Sequence, residues 1–327
     1  MEETRTPSFR DDPATGHMAL SKNAALVDHN HRSVLRLSGK DPVGMLAVVL
    51  TNEIPHGESL GVYAALLNPK GRVQTDLRVL KSGEDILVDT GPEGAAAAKE
   101  ILGRYAPFSR VKMEDLSSGE ESWGVLGLYG PRVGELLGNP DLTEHETIQA
   151  EIGGALVLIA GVAAPAAGYD LIGSASDLDT VREFLIGGGA TSAGPEAYET
   201  ARISAGIPRF GADITPENFP GESESFLERT VSFGKGCYPG QETVARMRYR
   251  GSPNKKLYRF ELEPGSTEPL EAGDEILQNE SVVGWLTSVA PLPVDGKVYA
   301  LGYLVRKANP EAPMRAEDGK ILAPKLA

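Results

Sequence analysis

The sequence has 327 residues, with 32 Lys or Arg against 46 Asp or Glu, so its formal net charge is −14 at pH 7. This acidic balance argues against an extended nucleic-acid surface, and no apolar run is long enough to predict a membrane-spanning helix. The single cysteine, Cys237, cannot form an intramolecular disulfide, which favours a reducing compartment, the cytoplasm by default. The length predicts two or three domains rather than a single core.

The first predicted elements are a tail, a strand and a short helix. Residues 1–20 are expected to form a disordered tail, because acids, prolines and arginines dominate its first part. Residues 33–37 alternate polar and apolar, as in a strand. Asp41 and Pro42 then have the chemistry of a helix N-cap followed by proline at the first helical position, and the helix is expected to end near Asn52.

A hairpin follows, with strands predicted at residues 60–67 and 72–80 on either side of an Asn-Pro-Lys-Gly turn. In the second strand, alternation places Gln74, Asp76 and Arg78 on one face. A polar face beside a glycine turn is usually exposed to solvent. Asp76 is nevertheless a candidate for positioning a cation or for hydrogen-bonding a ligand amine.

The middle of the chain alternates strands and helices. From about residue 81 to residue 189 this pattern predicts an α+β unit of the split βαβ kind. The strands are expected at residues 86–88, 111–116, 123–129, 155–159 and 169–172, and the helices at residues 92–105, 131–137 and 178–186. A helix at residues 196–205 comes next. Residues 207–229, rich in proline and acids, are expected to form a long loop of the kind that often binds ligands.

The most informative stretch surrounds Cys237. Gly234, Gly236 and Gly240 crowd it, and glycine lets a backbone approach a ligand closely. The Pro-Gly pair at residues 239–240 indicates a turn, and the residues that follow favour a helix start. A lysine two residues before the cysteine and a helix N-terminus after it would both favour the thiolate. The alternative is that this cysteine is a small buried apolar residue.

Beyond this stretch, residues 246–250 alternate strictly and predict a strand with three arginines on one face. Such a face is typical either of an anion-binding surface or of a solvated sheet edge. From residue 257 onward, short apolar segments separated by Gly, Pro and Asp predict a small all-β barrel or sandwich.

Residues 235–242, Lys-Gly-Cys-Tyr-Pro-Gly-Gln-Glu, resemble the K-G-C-Y-x-G-Q-E signature of the YgfZ family of folate-binding proteins. Residues 202–208 and 245–251 and the hairpin residues 65–72 are also similar to that family, which is related to the glycine-cleavage T-protein, an aminomethyltransferase. The resemblance implies an α+β, three-domain cloverleaf around a tetrahydrofolate channel, with a ferredoxin-like middle domain and a C-terminal β-barrel. The expected ranges are 1–20 for the tail, 21–80 plus 195–245 for the discontinuous folate-binding domain, 81–194 for the middle domain and 246–327 for the barrel.

The resemblance also implies a function. The family is implicated in the assembly or repair of iron–sulfur enzymes, including a tRNA-thiolating one, and the expected cofactor is tetrahydrofolate or a one-carbon derivative. The partners implied are therefore a small-molecule folate and iron–sulfur client proteins, with no membrane. Two alternatives stay open: a folate-dependent aminomethyl or one-carbon transferase, and a non-catalytic docking protein.

Candidate site residues follow from the motif positions. The catalytic candidates are Cys237 and Asp76, and no metal site is predicted. Among the cofactor-binding candidates, the rings of Tyr63 and Tyr238 could stack on a pterin, and the acids Asp170 and Glu222 could bind its nitrogens. The cations Arg202 and Arg246 could bind a carboxylate tail. The further candidates from the signature are Lys235, Gln241 and Glu242. Compared with the T-protein, one residue of an acidic pair remains, in Thr75-Asp76, and Ser204 replaces a glutamate. Both differences argue against aminomethyl transfer.

Overall fold

The computed structural model describes residues 12–119, 121–262, 270–316 and 322–327. Its α-helices are α1 (Pro13–Lys22), α2 (Pro42–Val49), α3 (Pro92–Tyr105), α4 (Val133–Leu137), α5 (Ala175–Gly187), α6 (Pro195–Ser204), α7 (Glu224–Thr230) and α8 (Gln241–Arg250). Short 3-10 helices cover Ala106–Ser109 and Pro220–Glu222. Within the described residues, no helix is both long enough and apolar enough to cross a membrane.

The strands follow the same chain order. They are β1 (Ala25–Asp28), β2 (Ser33–Gly39), β3 (Val62–Leu67), β4 (Val73–Ser82), β5 (Asp85–Thr90), β6 (Val111–Asp115), β7 (Trp123–Tyr129), β8 (Thr147–Ile152), β9 (Ala155–Val162), β10 (Gly168–Ser174), β11 (Thr191–Ala193), β12 (Lys255–Leu262), β13 (Glu275–Gln278), β14 (Ser281–Val289), β15 (Val298–Val305), β16 (Arg315–Ala316) and β17 (Leu322–Leu326). They form three sheets.

The first sheet is antiparallel, in the order β3-β4-β5-β2-β6. β3 and β4 form the predicted hairpin, with Tyr63 opposite Arg78 and Ala65 opposite Asp76. The helices α2 and α3 contribute to the core of this sheet, where Leu46 of α2 is fully buried among aliphatic side chains of the strands.

The start of α2 agrees with the sequence. The Asp41 side chain accepts a hydrogen bond from the backbone N–H of Gly44, and Pro42 is the first helical residue. The helix ends at Val49, three residues before the expected end, because Leu50 adopts an extended conformation and forms a β-bridge to Leu66.

The second sheet has the order β11-β1-β7-β10-β9-β8. The short strand β1 pairs in parallel with β11 and antiparallel with β7, so the beginning of the chain lies inside a sheet built mainly from later strands. The helix α5 packs on one face of this sheet through Leu178 and Val181. The helices α1 and α6 contribute Ala19 and Ala197 to a second core, on the opposite face of β1.

The third sheet is formed by the C-terminal strands, in the order β16-β13-β14-β15-β12-β17, and all its strand pairs are antiparallel. Phe260 and Ile276 are fully buried in its core. The helix α6 connects this sheet to the rest of the molecule, because Ile203 packs against Leu257 and Leu301.

The prediction of a disordered tail over residues 1–20 is wrong for residues 13–20, which belong to α1. Residues 1–11 lie outside the described residues. Asp12 caps α1 by accepting a hydrogen bond from the Thr15 backbone, and Pro13 occupies the first helical position. Ala19 and Leu20 are buried. The acidic and proline-rich composition of the first residues obscured this short amphipathic segment.

The expected strand at residues 246–250 is also wrong, because these residues belong to α8. Val244 is buried and Met247 is half-buried three positions later, which is the spacing of one helix face. Gln, Glu, Arg and Met all favour helix, and an alternation of five residues is too short to outweigh them. The expected loop at residues 207–229 likewise contains a 3-10 turn and most of α7.

The sheets group the chain differently from the expected ranges at more than one point: β1, within residues 21–80, belongs to the second sheet. Residue 80 lies inside β4, and the next two strands, β5 and β6, belong to the first sheet. The reason is local, because β4 and β5 form a tight hairpin through Gly83, which has a φ of 63°. The division of the chain into domains stays a prediction.

Truncating a core residue of α2 should destabilise the protein. Leu46 is 0% exposed, so Leu46→Ala leaves a cavity and should lower the free energy of unfolding by about 2–5 kcal/mol. Val48→Ala is the matched control, because Val48 lies on the same helix but is 54% exposed. It should change this free energy by less than about 1 kcal/mol. Denaturant unfolding followed by circular dichroism measures both. Equal effects would contradict the packing of α2 against the first sheet.

Candidate functional site

A cavity of about 250 Å³ lies where the first two sheets meet α6 and the segment that follows it. Side chains of β3 and β4 come from the first sheet, and side chains of β1, β7 and β10 come from the second. Residues 207–210 close the lining after α6. The lining includes the side chains of Tyr63, Asp76, Arg78, Tyr129, Asp170 and Phe210.

The β3–β4 hairpin holds a carboxyl group at the wall of this cavity. The Tyr63 hydroxyl donates a hydrogen bond to Oδ2 of Asp76 over 2.5 Å, and the guanidinium carbon of Arg229 lies 5.2 Å from the centroid of the Tyr63 ring. Burial raises the pKa of Asp76, although the hydrogen bond from Tyr63 opposes this effect. Burial and the Asp76 charge raise the pKa of Tyr63 well above its usual value, so this hydroxyl keeps its proton. Asp76 is therefore an oriented, half-buried acceptor.

A chain of buried charges lies beside this carboxyl group. Nε of Arg78 donates to Oδ2 of Asp89 at 2.8 Å, and Nη1 of Arg78 lies 2.5 Å from Oδ2 of Asp170. Nε of Arg32 donates to the other oxygen of Asp89 at 2.5 Å. Burial alone would raise the pKa of Asp89, but the two guanidinium groups outweigh it and lower this pKa to about 2. Asp89 is therefore ionised at neutral pH.

The chain continues through an aromatic side chain to a histidine. The Tyr129 hydroxyl donates a hydrogen bond to Oδ1 of Asp170 and lies 3.0 Å from Nε2 of His29. Burial lowers the pKa of His29 to about 3, so its ring is neutral at pH 7. Because the hydroxyl proton is directed at Asp170, we assign His29 as the Nε2–H tautomer, which donates to the oxygen of Tyr129.

Looser ion pairs occur elsewhere in the lining. Nη1 of Arg209 lies 3.6 Å from Glu93 and Nη2 lies 3.8 Å from Glu199, and the Arg209 side chain is 47% exposed. Such long, solvated contacts contribute little to stability. Arg209 can therefore exchange them for a carboxylate ligand. By contrast, Arg229 is held more closely, with Nη2 at 2.6 Å from Glu144.

The structure brings four of the predicted site residues to the cavity: Tyr63, Asp76, Asp170 and Arg202. Arg202 differs from the other three because its donors are already used inside the protein. Its guanidinium contacts Asp213 at 2.7 Å and Glu199 at 2.8 Å, and only 4% of its side chain is exposed. Arg202 therefore stabilises the junction of α6 with the segment after it.

The remaining candidates do not line this cavity: Glu222, Lys235, Cys237, Tyr238, Gln241, Glu242 and Arg246. Glu222 is buried and accepts a hydrogen bond from Asn218 at 2.7 Å. Tyr238 is buried beside Phe226, in a core that also includes Phe210, and its ring does not reach the cavity lining. Cys237 is exposed, which excludes the alternative of a buried apolar cysteine. It precedes a helix, as expected, because α8 begins at Gln241.

Sequence reasoning missed several charged and aromatic residues of the lining: His29, Arg32, Arg78, Tyr129, His145 and Arg229. Arg78 had a signal, since it shares the polar face of β4 with Asp76. The others carried none, because their positions depend on contacts between sheets. Asp89, which pairs with two of them, lies one residue beyond the strand expected at residues 86–88 and had no predicted role.

The low pKa of Asp89 predicts a change of stability with pH. A carboxyl whose pKa is depressed in the folded state stabilises the protein above its unfolded pKa, and this contribution is lost as the pH falls toward the folded pKa. The stability difference between wild type and Asp89→Asn should therefore shrink by about 2 kcal/mol between pH 5 and pH 2. Denaturant unfolding at several pH values measures it. A difference that stays constant over this range would contradict the assignment.

Comparisons with known proteins agree with this architecture. A putative chloroplastic transferase of Arabidopsis thaliana is 25% identical, covering 89% of this chain and 67% of that protein. An aminomethyltransferase of Saccharopolyspora erythraea is 26% identical over 318 residues, covering 92% of this chain and 84% of that protein. An uncharacterized protein of Haemophilus influenzae is 24% identical, covering 88% and 92% respectively.

The crystal structure of glycine cleavage system aminomethyltransferase T from Bartonella henselae matches with a TM-score of 0.76 at 21% identity, covering 94% of this chain and 86% of that chain. This likeness confirms the predicted α+β class and the aminomethyltransferase-like fold. Residues 5–235 also match the family model described as the GCVT N-terminal domain. Because that match extends over most of the chain, the protein belongs to the GCVT N-terminal domain family.

Proposed function

We propose that the cavity binds tetrahydrofolate or one of its one-carbon derivatives. The observation that carries this proposal is the Asp76 carboxyl, which the Tyr63 hydroxyl holds at the cavity wall. The side chains present suit a pterin, because its ring presents N–H groups along one edge and flat faces to aromatic side chains. Membership of the GCVT family and the aminomethyltransferases among the relatives support the same ligand.

Each part of the lining then has a separate role. Asp76 accepts a hydrogen bond from a ring N–H, and Tyr63 orients that carboxyl. Tyr198 and Phe210 supply apolar surface. A cavity of about 250 Å³ is small for a ligand site, so we assign it to the ring and assign the carboxylate tail to the loosely paired Arg209. When bound, the folate supplies nitrogens that carry one-carbon groups.

We assign Cys237 to a second task, the assembly or repair of iron–sulfur enzymes. The thiol is exposed and lies outside the cavity lining. A Cβ built on Gly234 or on Gly236 would meet no atom within 4 Å, so the loop around the thiol is open to a partner. The residues of this loop also resemble the YgfZ signature. A lone exposed thiol suits a reducing compartment, and we place the protein in the cytoplasm.

One observation favours a second candidate function, a folate-dependent one-carbon transferase. Burial raises the pKa of Asp76, and a carboxyl with a raised pKa is suited to exchanging a proton with a ligand amine. Thr75 does not add a second acid at this point. Its hydroxyl is buried and interacts with Thr90.

Folate binding tests the cavity directly. Calorimetry with tetrahydrofolate, under anaerobic reducing conditions, should detect binding to the wild type. Asp76→Asn keeps the size of the side chain but removes its charge, and it should weaken binding about tenfold to a hundredfold. Cys237→Ser is the control and should bind like the wild type. Failure of the wild type to bind would contradict both folate-dependent functions.

The thiol function needs a separate readout. In cells that lack the native protein and carry the Cys237→Ser variant, the activity of iron–sulfur enzymes should fall to the level of the empty-vector control, with folate binding retained. Full activity with Cys237→Ser and loss with Asp76→Asn would instead favour the transferase. Full activity with both variants would contradict both assignments.

A further inference from the structure

A second cavity lies outside the candidate folate site, between α2, α3 and the turn of the β3–β4 hairpin. Its volume is about 740 Å³. We call it the α2–α3 groove, and it is lined mainly by apolar side chains, including Met45, Val48, Leu67, Ile101, Phe108 and Pro239. Val48 is 54% exposed and Phe108 is 89% exposed. The lining also contains Glu100 and Arg104, which form an ion pair, so their two charges cancel.

A basic and aromatic surface lies on the last helix before the third sheet. We call Phe233, Arg246, Arg248 and Tyr249 the α8 face. All four are exposed, the Phe233 and Tyr249 rings are 6.1 Å apart, and the guanidinium carbon of Arg248 lies 5.0 Å from the Phe233 ring centroid.

The arginines of the α8 face have no acidic partner in the part of the chain that the structure describes. Elsewhere, arginines of this acidic protein are commonly paired, including exposed ones such as Arg104 and Arg132. A chain of net charge −14 has many carboxylates available for pairing. Glu242 lies one turn before Arg246 on α8, yet neither Arg246 nor Arg248 forms an ion pair within the described residues, so both cations suit an external anionic group.

The groove and the α8 face are connected through residues 232–240. Pro239, near one end of this loop, lines the groove, and Phe233, near the other end, contacts the ring of Tyr249. Between them, Nζ of Lys235 donates a hydrogen bond to the carbonyl of Ala47 in α2. The groove and the α8 face therefore belong to one continuous surface.

We propose that this surface binds a segment of a partner protein that carries apolar side chains along one face and acidic side chains flanking that face. The apolar side chains enter the α2–α3 groove, and the acidic ones contact Arg246 and Arg248. Single-stranded nucleic acid would use the arginines and the exposed rings, but it would leave the groove empty. The groove thus favours protein over nucleic acid.

The proposal does not depend on folate binding, because the groove and the candidate folate cavity share no lining residue. If the partner is an iron–sulfur client, its segment would lie beside the exposed Cys237, whose loop connects the two parts of the surface. Failure of the folate experiment would leave this proposal standing, and the converse also holds.

The experiment uses a synthetic probe. It is a fluorescent helical peptide of about 20 residues, with leucines three and four positions apart and glutamates elsewhere. Its affinity for the full-length protein is measured by anisotropy at low salt. The glutamate peptide should bind at least about tenfold more tightly than the same peptide with lysines in place of the glutamates.

Two matched pairs of variants test the two parts of the surface. Arg246→Glu should weaken peptide binding at least about fivefold, whereas Lys22→Glu, which makes the same charge change at an exposed site on α1, should change it less than about twofold. Val48→Ser should weaken binding at least about fivefold, whereas Leu156→Ser, at an exposed site on β9, should not. Circular dichroism checks that each variant is folded.

Four outcomes would overturn the proposal. The first is that the glutamate peptide does not bind up to about 1 mM, and the second is that the two variants of either pair have equal effects. The third is that the protein prefers single-stranded RNA, and that Arg246→Glu abolishes this binding while Val48→Ser does not affect it. The fourth is that the protein sediments as a dimer that Val48→Ser dissociates. The last result would assign the surface to a second copy of the chain.

Discussion

The arrangement of the first two sheets depends on the ion pairs of the Arg78 guanidinium. This group pairs with Asp89 of the neighbouring strand in the first sheet and with Asp170 of β10 in the second. All three side chains are nearly inaccessible to solvent, so none of these charges can be left unpaired without a large cost. Removing one partner from a buried ion pair typically costs about 3–5 kcal/mol. These ion pairs therefore favour an arrangement of the two sheets in which both carboxylates reach Arg78.

This constraint also positions the candidate site. Asp76 lies two residues before Arg78 on the same strand, so the two side chains project from the same face. Across the hairpin, Tyr63 is opposite Arg78, and its hydroxyl reaches diagonally to Asp76. The carboxyl that we assign to the ligand is thus oriented by a strand whose place is fixed by charges, rather than by a loop. Such a site is already organised before a ligand binds.

The sequence predicted what local chemistry decides and missed what distant contacts decide. The N-cap at Asp41, the β3–β4 hairpin and the position of Asp76 on a polar strand face all follow from neighbouring residues. Arg32 and Tyr129 could not be placed, because their partners lie 57 and 41 residues away. The helix α8 was mistaken for a strand for a different reason. Five alternating residues are compatible with both the strand period and the helix period, and the buried Val244, which decides for the helix, lies outside that stretch.

The thiol lies outside the cavity lining, but the β3–β4 hairpin lines the cavity and also contacts Gly240, three residues after Cys237. Its strands carry Tyr63 and Asp76, and its turn supports the loop that follows Cys237. A Cβ added at Gly240 would lie 2.6 Å from the carbonyl oxygen of Asn68 and from the Cα of Gly71, and Gly240 has a φ of 82°. Glycine is therefore required there by both close approach and backbone conformation. That requirement explains why a Gly follows the Cys-Tyr-Pro run, and it makes the hairpin turn the physical connection between the two proposed sites.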